Sequence, residues 1–208
     1  MSDASHSGED ETARFSAVLE ALAAVSSDRL TLREMVDAFG ERAFGAVLLL
    51  VSLINLLPLP PGGTTVTGAP LLLISLQLAV GRDTLWLPRR LLDAAVSRPN
   101  FAKGVARVRP ALGLAERLSR PRLPGLATGV AERLIGLACA MLAFVLILPI
   151  PFGNMVPAFT CALFSLALMQ RDGVAALAGW GMTGVSVGIL VAVWKTVERA
   201  ALHILERL

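Results

Sequence analysis

Few polar side chains interrupt the apolar stretches of this chain, so each can be weighed for the chemistry it offers. Asn55, Thr64, Thr65, Thr67 and Asn154 stand beside two P-x-P-x-G turns, Pro58 to Gly62 and Pro149 to Gly153. Uncharged donors and carbonyls at broken helix ends are the groups from which membrane proteins build sites for neutral or lipid-linked solutes. The same groups also cap helices and satisfy turns. Asn55, Pro58, Pro60, Gly62, Thr64, Thr65, Pro149, Pro151, Gly153 and Asn154 therefore make up a candidate hairpin-tip site, with capping as the alternative reading.

Other chemistry finds little support. Ser52, Ser75 and Ser165 have no histidine base in range, since His6 and His203 lie near opposite ends of the chain. The two histidines also leave no metal site to be seen. Cys139 and Cys161 lack a C-x-x-C spacing and read as buried free thiols that pack as small hydrophobes. Asp83 and Asp172 each follow an arginine at a helix end, where a cap or ion pair accounts for them. The apolar runs contain no Asp, Glu, Lys, Arg or His in their interiors, whereas proton relays and ion-coupled carriers place such groups inside the membrane. Phosphate-binding loops, dinucleotide fingerprints and H-E-x-x-H pairs are absent. The expectation is a non-enzymatic protein with no cofactor and no metal.

The elements that hold these residues follow from composition. Of 208 residues, 55% are hydrophobic and 17% charged, and mean hydropathy is +0.68. A soluble domain is roughly 45–50% apolar and about 25% charged, so the chain is expected to be an all-α integral membrane protein. Residues 1–11 read as a disordered acidic tail, without the charged and apolar regions of a cleavable signal peptide. Within 12–42, Phe15, Val18, Leu19 and Leu22 follow helical spacing, and Thr31-Leu-Arg-Glu34 is a capping-box pattern before a second apolar face. Two short amphipathic helices on a membrane surface are expected there. Residues 43–83 and 132–172 each hold two apolar runs around a P-x-P-x-G tip. Residues 173–195 form a fifth, Gly-rich run whose small residues suit close helix packing or a broken, site-lining helix. Residues 196–208 form an amphipathic tail.

The two hairpins look duplicated. At an offset of 91, Glu41-Arg42 matches Glu132-Arg133, Gly45 matches Gly136, and both tips align; past the tips Ser75-Leu76 matches Ser165-Leu166, and Arg82-Asp83 matches Arg171-Asp172. Proline lacks a donor and turns its predecessor away from the α region, so P-x-P ends the first helix, and glycine permits the turn. Pro70 and Pro157 are expected near the starts of the second helices, where a missing N–H costs least. A run of 15 residues reaches roughly 22 Å against a hydrocarbon core of about 30 Å. The pairs are therefore either thin crossings or re-entrant hairpins. Gln77 and Gln170, near-equivalent, could bond across helices.

Charge sets the orientation. The net charge is +3, yet residues 82–133 hold 11 Lys/Arg against four acids, while residues 1–42 hold four Arg against nine acids. The positive-inside rule places the N-terminus and the basic connector, 84–131, in the cytoplasm. Both hairpins then enter and leave on one side, which makes the repeats parallel. Arg89 and Arg90 on an interfacial helix with Trp86, Leu87, Leu91 and Leu92, together with Lys103 and Arg107, are read as basic residues facing anionic lipid, and nucleic acid is not an expected partner. Pro99, Pro110, Pro121 and Pro124 are expected to break the connector into short pieces. Short helices favour a homodimer, because a partner covers polar ends that a thin monomer exposes.

L-P-L-P-P-G at 57–62, G-A-P-L-L-L-I-S-L-Q-L at 68–78, W-L-P at 86–88 and P-I-P-F-G-N at 149–154 resemble the ExoD family of exopolysaccharide-synthesis proteins over roughly residues 30–190. The resemblance implies a bacterial inner-membrane protein that supports exopolysaccharide production, with the synthesis machinery as a partner and no catalytic residues to carry over. A non-enzymatic accessory that binds partners or lipid is the function expected. The alternative is a transporter, channel or facilitator for a small neutral or lipid-linked solute passing the paired tips.

Overall fold

A computed structural model of the chain describes residues 15–25, 27–56, 63–82, 84–118, 123–148 and 154–205. The expected acidic tail, both P-x-P-x-G tips, Pro121 and residues 206–208 lie outside the described residues. The described residues are mostly helical: α1 (Phe15–Ala24), α2 (Leu32–Phe39), α3 (Ala43–Leu56), α4 (Gly63–Val80), α5 (Arg89–Leu92), α6 (Arg98–Leu118), α7 (Val130–Ile147), α8 (Met155–Gln170) and α9 (Gly173–Leu205). Two three-residue strands, β1 (Arg29–Thr31) and β2 (Ala95–Ser97), pair antiparallel with Leu30 opposite Val96.

Helices α3, α4, α7 and α8 form the main bundle. Helix α4 packs along α7 and α3 along α8, rather than each hairpin closing chiefly on itself. Glycines make these approaches possible. A Cβ on Gly136, early in α7, would stand 2.5 Å from the Ala79 backbone nitrogen, late in α4. A Cβ on Gly68, early in α4, would stand 3.0 Å from Ile147, at the end of α7. The two helices therefore run antiparallel. Gly45, early in α3, meets Met169 and Ser165, late in α8, in the same manner. The core between them is apolar and fully closed at Leu48, Leu71, Ile74, Ile135, Leu146 and Phe164. Cys139 and Cys161 lie in it as buried free thiols.

The outer surface of this bundle is apolar as well. Leu134, Leu137, Met141 and Phe144 form an exposed stripe along α7, and Val66, Leu76 and Val80 do the same on α4. Helix α9 leaves α8 after an edge-to-face contact between Phe164 and Trp180, centroids 5.4 Å apart, and carries exposed Val187, Ile189, Leu190, Val191 and Trp194. A helix that is apolar all round suits a core or a lipid environment, not a water-facing surface. By length and composition, Val130–Ile147 and Gly173–Thr196 are long and apolar enough to cross a membrane; Ala43–Leu56, Val66–Val80 and Met155–Gln170 are shorter apolar helices.

A second layer joins two distant segments. Helix α1 packs on α6, and α2 on α3. Leu19, Leu30, Met35, Phe101 and Val105 share one cluster with Ala46 and Leu49 of α3 and Ala162 of α8. The amphipathic faces predicted for residues 12–42 are thus buried largely against the connector and bundle. Thr31 caps α2 as its spacing predicts, its hydroxyl accepting from the Glu34 N–H at 3.2 Å. The Glu34 carboxylate, however, reaches Arg98 instead of turning back to its own helix start.

Several local expectations are corrected. Pro99 and Pro110 do not fragment the connector: α6 runs unbroken from Arg98 to Leu118 with Pro110 inside, while Pro124 opens a separate short turn, Pro124–Leu126. Pro99 falls in the first turn of α6, where no donor is lost, and packing of Phe101 and Val105 against α1 supports the rest. Helix α4 begins at Gly63, so Pro70 lies in the helix interior and not near its start. The interfacial helix at Trp86–Leu92 shrinks to the single turn Arg89–Leu92. The fifth run continues without a break into the tail as one helix, α9, to Leu205. The ends of α4 and α8 match at Gly81 and Arg171, both with positive φ, followed by Arg82 N–H donating to Gln77 and Asp172 N–H donating to Ala167. The shared Arg-Asp doublets therefore sit one residue out of step.

Candidate functional site

The tip site can be followed through the residues that flank it. Asn55 closes α3 in a buried position, its amide donating to the Val51 carbonyl at 2.8 Å and its Oδ1 accepting from the Thr67 hydroxyl at 2.6 Å. This bond ties the end of α3 to the first turns of α4. Gly68 and Ile147 bring the end of α7 to the same place. Thr64 and Thr65 belong to the first turn of α4, and Asn154 occupies the N-cap position of α8, its carbonyl accepting from the Ala158 N–H at 3.1 Å. Pro58, Pro60, Gly62, Pro149, Pro151 and Gly153 lie outside the described residues. The end of α3, the start of α4 and the end of α7 therefore meet at one end of the bundle.

Four buried hydroxyls of the bundle are turned back on their own helices. Ser52, Ser75, Thr160 and Ser165 each donate to the carbonyl four residues earlier, at 2.7 to 2.8 Å. Such back-bonding satisfies a buried hydroxyl without presenting it to a substrate. Among the described residues no group of three His, Cys, Asp or Glu gathers as a metal site.

The Asn55–Thr67 bond has a measurable worth. A double-mutant cycle of Asn55→Leu with Thr67→Val, read by unfolding in detergent, is expected to return a coupling of about 0.6 kcal/mol, the average for interhelical hydrogen bonds in membranes. A coupling near zero would remove the clasp from the account of the hairpin.

At the other end lies the basic surface. Arg89 and Arg90 on α5, and Lys103 and Arg107 on α6, are all exposed. Arg98 is not. It is buried, with Nε donating to the Ser27 hydroxyl at 2.7 Å, Nη1 to the Leu22 carbonyl and Nη2 to Glu34 Oε2 at 2.6 Å. Its backbone N–H donates to the Asp28 carbonyl at 3.0 Å. Exposed Arg109 pairs with Glu20 at 2.7 Å. Part of the connector charge therefore binds the N-terminal helices rather than facing outward.

A second feature escaped the sequence reading. The Gln77 amide grips the Trp86 backbone from both sides, Oε1 accepting from its N–H and Nε2 donating to its carbonyl, each at 2.8 Å. Gln77 therefore binds the connector, not a glutamine on another helix. A buried amide just before a helix end, followed by an unpatterned W-L-P stretch, is a faint signal for such a clamp.

This geometry can be set against known proteins. The model of the family "Exopolysaccharide synthesis, ExoD" matches residues 15–192. The chain belongs to the ExoD family. It is 34% identical to Protein ExoD of Rhizobium meliloti (strain 1021) over 168 residues, covering 76% of this chain and 68% of that one. It is 30% identical to an uncharacterised Synechocystis protein over 166 residues, covering 78% of this chain and 77% of that one. No solved structure matches it. The family match takes in all four bundle helices, the α6 connector and most of α9. In this ExoD-family chain, then, the bundle, Arg98 and the Gln77 clamp all lie inside the family region.

Proposed function

We propose that the protein is a multi-pass inner-membrane accessory of exopolysaccharide synthesis or export that binds partners and anionic lipid without catalysing a reaction itself. The observation that carries the membrane part is a bundle apolar on both its inner and outer faces, with no charged side chain within the bundle cores of α3, α4 and α8. Family membership supports the link to exopolysaccharide. Hydroxyls bonded back to their own helices support a binding rather than a chemical role. In this reading the N-terminal layer and basic connector lie on the cytoplasmic side. The two hairpins are repeats in parallel orientation, α3 corresponding to α7 and α4 to α8; the reciprocal packing of α3 on α8 and α4 on α7 supports this. Helix α3, with 14 residues, reaches about 21 Å, so a second copy that shields its polar ends belongs to the same proposal.

A facilitator passing solutes through the paired tips is the second reading. The gathering of the α3, α4 and α7 ends near Asn55, Thr67 and Gly68 favours it. The tightly closed core below favours the accessory reading.

The test is topological and then functional. In a Cys139→Ala, Cys161→Ala background, alkaline carbonate is expected to leave the protein in the membrane pellet. Ser97→Cys is expected to resist an impermeant maleimide in intact cells and to react after permeabilisation. Release by carbonate, or labelling of residue 97 from outside, would sink the proposed topology. Deletion of the gene should lower exopolysaccharide output, and the full chain should restore it.

A further inference from the structure

An open groove of about 370 Å³ runs along the outer face of α4. Leu73, Leu76 and Val80 form one wall, spaced so that they share a helix face. Trp86 forms the other, and Gln77 and Arg82 complete the lining. The Trp86 wall is not a helix but an extended stretch, and it is fixed because Gln77 holds both polar atoms of the Trp86 backbone. Trp86, 55% exposed, thus stands beside the helix and lines the groove.

Charge gathers at one end of the groove. Gly81 ends α4 at φ +75°, and Arg82 follows it, exposed. The Arg133 guanidinium lies over the same glycine, so close that a Cβ there would stand 2.5 Å from its Nε. The Arg133 guanidinium and the exposed Arg82 thus stand at one helix C-terminus, whose carbonyls favour cations. The ion pairs recorded among the described residues, Arg33–Asp93, Arg98–Glu34 and Arg109–Glu20, involve neither of them. Apolar walls that open beside an interfacial tryptophan and end in cations complement an amphiphile whose head is an anion.

We infer that this groove seats an acyl chain of one anionic glycerophospholipid, with its phosphate at Arg82. The inference rests on the membrane reading above and adds to it a defined lipid position in the leaflet beside the connector. A zwitterionic lipid offers the same chain, but its own amine offsets its phosphate, so the two classes are distinguishable.

The probe is the tryptophan wall itself. The chain has three tryptophans, and Trp180→Phe with Trp194→Phe leaves Trp86 as sole fluorophore. That variant, full length and reconstituted in vesicles, is titrated with phosphatidylglycerol or phosphatidylcholine brominated on the acyl chains. Quenching of Trp86 is expected to show about fivefold preference for the anionic lipid, the factor a single cation at such a surface supplies. Arg82→Gln is expected to cut the preference at least twofold, and Arg82→Lys to keep it. Equal quenching by both lipids, or a preference unchanged by Arg82→Gln, would overturn the site while leaving the membrane reading standing. Absence of quenching by either lipid would place Trp86 outside the bilayer and overturn the site, while retention in the carbonate pellet decides the membrane reading separately.

Discussion

Gly136→Ala is expected to destabilise the bundle by about 3 kcal/mol, lowering its unfolding midpoint in detergent by roughly 10 °C. The argument is geometric. A methyl group at residue 136 would fall 2.5 Å from the Ala79 nitrogen and 2.9 Å from the Leu78 carbonyl carbon. Those are backbone atoms of α4, so no rotamer change can clear the space and the two helices must part. In a bilayer the loss is felt fully, because lipid tails are as apolar as the helix faces, and close packing holds helices together there. Gly45→Ala provides the graded comparison. Its new methyl would meet Met169 Cγ at 2.6 Å, and a methionine side chain can turn away, so about 1 kcal/mol is expected. Gly184→Ala has nothing within 4 Å and should be neutral or gain some helix propensity. A Gly136→Ala protein that melts with Gly184→Ala would show that α4 and α7 do not approach as described.

Arg98→Ala is expected to free the N-terminal layer while leaving the bundle folded. The guanidinium satisfies the Leu22 carbonyl, the Ser27 hydroxyl and Glu34 at once, and its side chain is 6% exposed against 46% for Glu34. Because Glu34 is half in solvent, the ion pair supplies a minor share and the two charge-assisted bonds to the Leu22 carbonyl and the Ser27 hydroxyl the greater one, about 3 kcal/mol together. Amide exchange in α1 and β1 should rise roughly 100-fold by local opening, while α7 and α8 keep their protection. Arg98→Lys should not restore it, since one ammonium group cannot match a planar fork with several acceptors. Uniform loss of protection over the whole chain would instead make Arg98 part of the global fold, and no change would remove it as the joint between the layers.

Residue type and spacing by themselves determined the number and character of the bundle helices. The apolar runs at 43–61, 66–80, 134–152 and 155–169 became α3, α4, α7 and α8, because long charge-free runs leave helix as the conformation that satisfies its own backbone. Thr31 as a helix cap and the burial of Cys139 and Cys161 were also legible, since both depend on local chemistry. Helix ends were less so. Pro70 lies inside α4 because Gly63 to Thr65 wind into the helix, a choice that proline and glycine preferences do not dictate.

Pairing was decided by tertiary structure. Nothing local says that α4 lies against α7 or that α3 lies against α8; Gly45, Gly68 and Gly136 mark close approaches without naming the partner, which depends on the shape of the facing helix. Arg98 and Glu34 stand 64 residues apart, and the bond between them exists because β1 and β2 bring residues 27–31 beside residues 95–98. The groove beside Trp86 likewise arises when one buried amide, Gln77, finds a backbone nine residues on. Apolar periodicity is a property of a segment and can be read within it. Contacts between segments depend on the complementary surfaces that the assembled chain brings face to face.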